Sequence, residues 1–198
     1  MFFSDAVVAI AITLLALGLP VPQQASSDLS TWHALLAQNN RAAYVAFLIS
    51  FVVIGAHWRS HHRLFRSIAR LDSSAIALNM VWLLMIIVTP YATRVLSGDG
   101  GFGVRFSLYA AVQVVTLVVI WTMSRHIRRS GLRRRDAPAG FSALEEGTVL
   151  AVAAVFAISI PIAFIPHVDQ WAFAVWVVAV VVLRWVRRVQ AWTTKPRS

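Results

Sequence analysis

The 198 residues contain no cysteine, which excludes disulfides, thiol catalysis and cysteine-ligated metals. Charge is scarce too. Asp, Glu, Lys and Arg make up 13% of the chain and only eight residues are acidic, against 59% hydrophobic residues and a mean hydropathy of +0.70. So few charges cannot cover a soluble domain of this length, and the composition assigns the chain to the membrane. Two ligand signatures are missing as well: a Gly-Lys-Ser/Thr phosphate loop, and a Thr-Val-Gly-Tyr-Gly-like run that could re-enter the membrane as a carbonyl filter. The segment Gly98-Asp99-Gly100-Gly101-Phe102-Gly103 therefore reads as an external turn, in which Gly and Asp supply positive φ.

What is present is a succession of apolar runs. Six can be read, at approximately 3–19, 42–58, 75–96, 104–124, 144–165 and 171–187. Each is near the roughly 20 residues that a hydrocarbon core of ~30 Å requires. Their continuous Ala, Leu, Val and Ile content contrasts with the short alternating strands of a barrel. The expected fold is an all-α integral membrane domain of six transmembrane helices covering residues 1–198, with no re-entrant pore loop. No basic residue precedes the first apolar run and no small-x-small cleavage signal follows it, so the first span is expected to be retained. Pro20 and Pro22 stop it, and Asp28–Leu36 reads as a short amphipathic helix with Trp32, Leu35 and Leu36 on one face.

Fifteen of the eighteen Lys and Arg residues follow the second, fourth and sixth spans, whereas Arg41, Arg94 and Arg105 lie near the first and third connections. Basic residues gather on the cytoplasmic side of short loops, so both termini are expected to be cytoplasmic. The net charge of +10 is then a product of topology and of contact with anionic lipid, and no nucleic-acid partner is expected. The sixth span has no polar side chain from Trp171 to Val182 beyond its tryptophans and reads as a lipid-facing outer helix. Trp171 and Trp176 would belong to one interfacial aromatic belt, Trp185 and Trp192 to the other.

The first span opens on Ser4-Asp5. At 3.6 residues per turn, Ile10, Leu14 and Leu17 share a face that Thr13 borders, one to two turns beyond that polar pair. Two readings stay open on spacing alone: a pore lining, or a lipid-facing anchor in which such a stripe is common. The second span ends in the densest polar cluster, His57-Trp58-Arg59-Ser60-His61-His62-Arg63. His57 and His61 share a helical face as a metal pair would, but no acid or thiol stands nearby to complete a site. A hydrogen-bonded network fits the cluster better than a pH-sensitive element or metal or haem ligation, and no metal is expected.

Three segments together resemble the transmembrane protein 175 family of potassium channels in its six-span prokaryotic form. They are Phe3-Ser4-Asp5 with the Ala-Val-x-Ala-Ile-Ala-Ile-Thr-Leu-Leu that follows, Ser50-Phe51 with His57-Trp58-x-x-His61-His62-Arg63-Leu64-Phe65, and Asn79 with Trp82, Leu83, Leu84 and Pro90. The last three spans agree only in length and hydropathy. The resemblance implies a potassium-permeable channel, modestly selective over sodium, with no enzymatic activity and no cofactor beyond the permeant ion, in the plasma membrane of a prokaryote. It further implies a homotetramer whose first helices line one central pathway. Ile10 would form the narrowest ring, Leu14 and Leu17 further apolar constrictions on its extracellular side, and Thr13 a nearby hydroxyl. Ser4 and Asp5 would join a polar network with the second and third spans, His57 and Asn79 being their natural partners. Rings of this kind distort an ion's hydration shell without replacing it, and they close by dewetting.

A secondary transporter of cations or protons is the main alternative. It would require acids or broken helices near mid-membrane, yet spans two, three, four and six hold no Asp or Glu, and Glu145 and Glu146 stand at the start of the fifth. Pro161 and Pro166 are accounted for by a kink and a stop. No Ser-His-Asp set, metal triad or cofactor motif supports an enzyme.

Overall fold

The computed structural model describes residues 2–21, 38–134 and 143–165, together with Trp176. Within them run α1 (Phe2–Leu17), α2 (Gln38–Arg66), α3 (Ser73–Ser97), α4 (Phe102–Arg129) and α5 (Ala143–Ile162). The described residues form no strand, only an isolated antiparallel bridge between Ile68 and Arg133. The architecture is all-α, as the continuous apolar runs require. Asn40–Arg66, Ser73–Ser97 and Phe102–Arg129 are long and apolar enough to cross a bilayer, while Phe2–Leu17 and Glu146–Ile162 are shorter apolar helices. The expected amphipathic segment 28–36 lies outside the described residues, as does the span 171–187 apart from Trp176.

Contacts at the helix ends give an up-and-down order. Asp5 at the start of α1 meets Trp58 late in α2, Asn79 early in α3 meets Ser4, and Ser124 late in α4 meets Glu146 early in α5. At the opposite end Gly18, just past α1, lies against the Arg94 side chain of α3. Gly103 at the start of α4 has no room for a side chain, because a Cβ there would stand 2.8 Å from Cδ1 of Phe164. The first of these ends carries Arg59, Arg63, Arg66, Arg125, Arg128 and Arg129, and is the basic end of the bundle.

Two devices fasten the basic end. Asp72 caps α3: its Oδ1 accepts the Ala75 N–H at 2.8 Å, and its Oδ2 lies 2.8 Å from Nε2 of His126 on α4. The connection after α2 is also tied to the one after α4, through Ala69 N–H to the Leu132 carbonyl at 2.8 Å and Arg134 N–H to the Ser67 carbonyl at 3.0 Å. At the other end Arg105 donates to the carbonyls of Leu96, Gly98 and Gly100 and folds residues 98–101 into the expected turn, with Gly100 at φ 105°.

The core lies between α3 and α4, where Trp82, Ile86, Phe106, Tyr109, Ile120 and Met123 are fully enclosed. Trp176 belongs to this core. Its ring stacks on Phe106 at 4.7 Å and its indole N–H donates to Ser159 Oγ at 2.9 Å. This corrects the interfacial belt position read from the sequence: with Ser159 as a buried acceptor, the indole needs no contact with water.

Helix bounds differ from the expected spans for local reasons. α2 continues past 58 to Arg66, because His57, His61 and Leu64 pack inward although charged residues stand between them. α1 and α5 end at Leu17 and Ile162 rather than 19 and 165, their last residues winding into tighter i→i+3 turns such as Leu19 N–H to Ala16 O and Ile165 N–H to Ile162 O.

The Asp72 cap has a pH signature. The Ala75 amide, and after it His126, hold its carboxyl below the usual carboxylate range. Its contribution is therefore in place at neutral pH and is lost as pH falls through that depressed value. Asp72→Ala is expected to lower the melting midpoint at neutral pH and to matter less in acid. Asp72→Asn, which keeps a capping oxygen, is expected to retain most of the midpoint. Thermal unfolding in detergent at both pH values measures this.

Candidate functional site

α1 has two distinct faces. Ser4, Val8, Ala11 and Leu15 recur at helical spacing and are buried to 5% exposure or less, packed on α3 and, less extensively, on α2. Ser4 and Ala11 are small and let the helix axes approach. The opposite face carries Phe3, Ala6, Ile10, Thr13, Leu14 and Leu17, all uncovered by the protomer's own described helices. Ile10 is 58% exposed, Leu14 44% and Leu17 80%. Thr13 Oγ1 donates to the Ile10 carbonyl at 2.8 Å, so its proton is spent within the helix and its lone pairs face outward. No ionisable side chain lies on this stripe from Ala6 to Leu17.

The polar residues at the start of α1 are held by two separate contacts. Asn79 Nδ2 donates to Ser4 Oγ at 3.4 Å, while Asn79 Oδ1 lies 2.8 Å from Nε2 of His61. His61 is itself sandwiched, 4.1 Å from the Trp82 ring and 4.2 Å from Phe65. Asp5 Oδ1 accepts from the indole N–H of Trp58 at 2.9 Å. The side chains that orient α1 thus come from α2 and α3 together.

His57 does not join this cluster. Its Nε2 lies 2.9 Å from Oε1 of Gln113 on α4, and both residues are buried. The expectation that His57 partners Ser4 and Asp5 is corrected accordingly, whereas Asn79 does meet Ser4. His57 and His61 share a face of α2 but lie one turn apart, and at the depth of His57 the facing polar group is Gln113, whereas His61 reaches Asn79. Sequence reasoning missed Gln113, and it read Trp58 and His61 as part of a hydrogen-bonded cluster without pairing them to Asp5 and Asn79. Gln113 had a usable signal: it is the lone amide within 104–124, and an amide in an apolar span needs a partner.

Two more polar links cross the helices. Thr93 Oγ1 lies 2.7 Å from Ser50 Oγ, which donates to the Tyr109 hydroxyl at 3.1 Å, joining α3, α2 and α4. Near the basic end, Glu146 accepts from Ser124 and from Arg128, each at 2.8 Å. The carboxylate early in α5 is thereby neutralised in place.

Residues 1–90 match the family described as endosomal/lysosomal potassium channel TMEM175. A potassium channel of Streptomyces collinus is 38% identical over 144 residues, which are 69% of this chain and 68% of that protein. A potassium channel of Chamaesiphon minutus is 34% identical over 135 residues, 63% of this chain and 62% of that one. The fold is similar to the crystal structure of a lysosomal potassium-selective channel TMEM175 homolog from Chamaesiphon minutus, with a TM-score of 0.70 and 27% identity, over 92% of this chain and 94% of the other.

The anchor of α1 is open to mutation. Asn79→Ala deprives both Ser4 and His61 of a partner, and an orphaned buried group costs about 1–3 kcal/mol. A lowered melting midpoint is expected. Asp5→Asn keeps an oxygen for Trp58 and is expected to be nearly neutral, whereas Asp5→Ala is not. Thermal unfolding of the purified protein separates the three variants.

Proposed function

From the premise that this chain belongs to the TMEM175 family, we propose that it is a potassium channel in which the uncovered stripe of α1 lines the ion pathway. The observation that carries this reading is the two-sided character of α1. One face is fixed to the protomer through Ser4, Val8, Ala11 and Leu15, and on the other Ile10, Leu14 and Leu17 are left exposed by the described helices.

Four copies of the chain, meeting along these stripes, would stack the three residues into successive apolar rings, Ile10 the narrowest, with Thr13 hydroxyls between. The chemistry follows from what the stripe lacks. A ring of aliphatic side chains offers a cation no oxygen to replace its water, so passage depends on how easily the hydration shell deforms. Potassium, larger and more weakly hydrated than sodium, crosses at lower cost, and the preference is modest because nothing coordinates either ion closely. The same rings act as a gate, since a narrow apolar neck expels water unless the helices splay. The chain would sit in a prokaryotic plasma membrane, with the basic end and both termini cytoplasmic.

The burial pattern also weighs against a transporter. The acids within the described helices, Asp5, Glu145 and Glu146, all stand at the basic end rather than at mid-membrane, and Asp5 and Glu146 are both hydrogen-bonded. Among the described residues no mid-membrane carboxylate is left to carry a proton.

Ile10→Asn tests the ring directly. In planar bilayers under bi-ionic potassium and sodium, the variant is expected to conduct more than the parent and to lose preference for potassium, because a wettable amide replaces the aliphatic collar. Unchanged conductance and reversal potential would remove Ile10 from the pathway.

A further inference from the structure

A cavity of about 580 Å³ opens between α2, α4 and α5, on a part of the protomer that the α1 stripe does not use. Its lining changes character along its length. Leu117, Val152 and Phe156 form an apolar wall, and α2 contributes Val53 and Ala56. Six to ten residues beyond Val53 along α2, about 9–15 Å at the helical rise, the lining becomes Arg59, Ser60 and Arg63. α5 runs antiparallel and grades the same way, from Phe156 to Thr148 nearer the basic end.

We infer that this cavity is a binding site for an anionic phospholipid, with the phosphate at Arg59 and Arg63 and the upper acyl chain against Leu117, Val152 and Phe156. Size comes first: the volume lies within the roughly 300–1,000 Å³ of small-molecule sites, and inorganic phosphate would leave the apolar half empty. Charge is the second argument. Among the described residues that line the cavity there are two guanidiniums and no acid, and Arg presents a planar fork whose several N–H groups match phosphate oxygens. Glu146, the carboxylate early in α5, is held by Ser124 and Arg128 and is not among the lining residues. Position is the third. A basic pocket between membrane helices, apolar within and cationic at its rim, has the gradient of a lipid: tail inward, headgroup at the interface.

The site is separate from the proposed pathway, and its test reads bound lipid rather than current, so either reading can fail alone. Purified full-length protein in neutral detergent is titrated with dioleoylphosphatidylglycerol, dioleoylphosphatidylcholine or inorganic phosphate, and bound ligand is read by native mass spectrometry. Saturable retention of the phosphatidylglycerol over the other two is expected. Arg59→Gln with Arg63→Gln is expected to weaken it by roughly 25-fold, about fivefold for each interfacial cation removed. Val152→Trp, which fills the apolar half and leaves both arginines in place, is expected to weaken it as much. Arg125→Gln with Arg129→Gln, elsewhere on the basic end, is expected to leave it unchanged. Three results would overturn the site: equal binding of phosphatidylcholine, full binding by Val152→Trp, or an equal loss in the Arg125 and Arg129 variant, which would mean a diffuse basic surface. A change of subunit stoichiometry in Val152→Trp without change in lipid binding would assign the cavity to a second copy of the chain instead.

Discussion

The rotation of α1 about its own axis is the constraint on which the rest depends. Among lipid tails an apolar helix face gains little from choosing protein over lipid, so burial of Val8 and Leu15 alone cannot decide which side of α1 turns inward. Polar groups can decide it, because an unsatisfied donor or acceptor in hydrocarbon costs several kcal/mol. Ser4 and Asp5 occupy that deciding position. Ser4 is held by Asn79 and Asp5 by Trp58, and the two contacts approach α1 from different helices. Once its first turns are fixed, helical geometry carries Ile10, Leu14 and Leu17 to the outside of the protomer.

That anchor is as stiff as what stands behind it. Asn79 is tied to His61, which is clamped between Trp82 and Phe65, and Trp82 is a centre of the α3–α4 core. One turn along α2, His57 makes the corresponding link to α4 through Gln113. The two histidines thus divide one helical face between two neighbours, and the polar end of α2 serves as a strut rather than a solvent-facing tail. A stripe presented by such a scaffold can be shifted only by moving several helices together. This suits the proposed gate, whose two states would differ in how far the α1 helices splay.

Hydropathy made the helices legible because a continuous apolar run of about twenty residues has few other physical solutions. It failed at the end of α2, where charges lower the local average although His57, His61 and Leu64 face the core. The two faces of α1 were legible in part: spacing grouped Ile10, Leu14 and Leu17, but periodicity could not say which face the protein would cover. Pairings were the least legible. His57 and His61 look equivalent in sequence, and only the depth of Gln113 and Asn79 on the facing helices tells them apart. Trp176 was misread for a related reason, since a tryptophan near a span's end resembles an interfacial ring unless its buried acceptor, here Ser159, is known.

The absence of native cysteine allows the most direct measurement of the central claim. Ile10→Cys, Leu14→Cys and Leu17→Cys are introduced singly and exposed, during current recording, to a water-soluble, membrane-impermeant methanethiosulfonate reagent, with Val8→Cys and Ala11→Cys as buried comparisons. If the stripe faces an aqueous ion pathway, its three cysteines react and the current changes, while the buried pair stays inert. If the stripe cysteines are labelled only by a lipid-soluble maleimide and the aqueous reagent leaves the current untouched, α1 is a lipid-facing anchor and the pathway lies elsewhere.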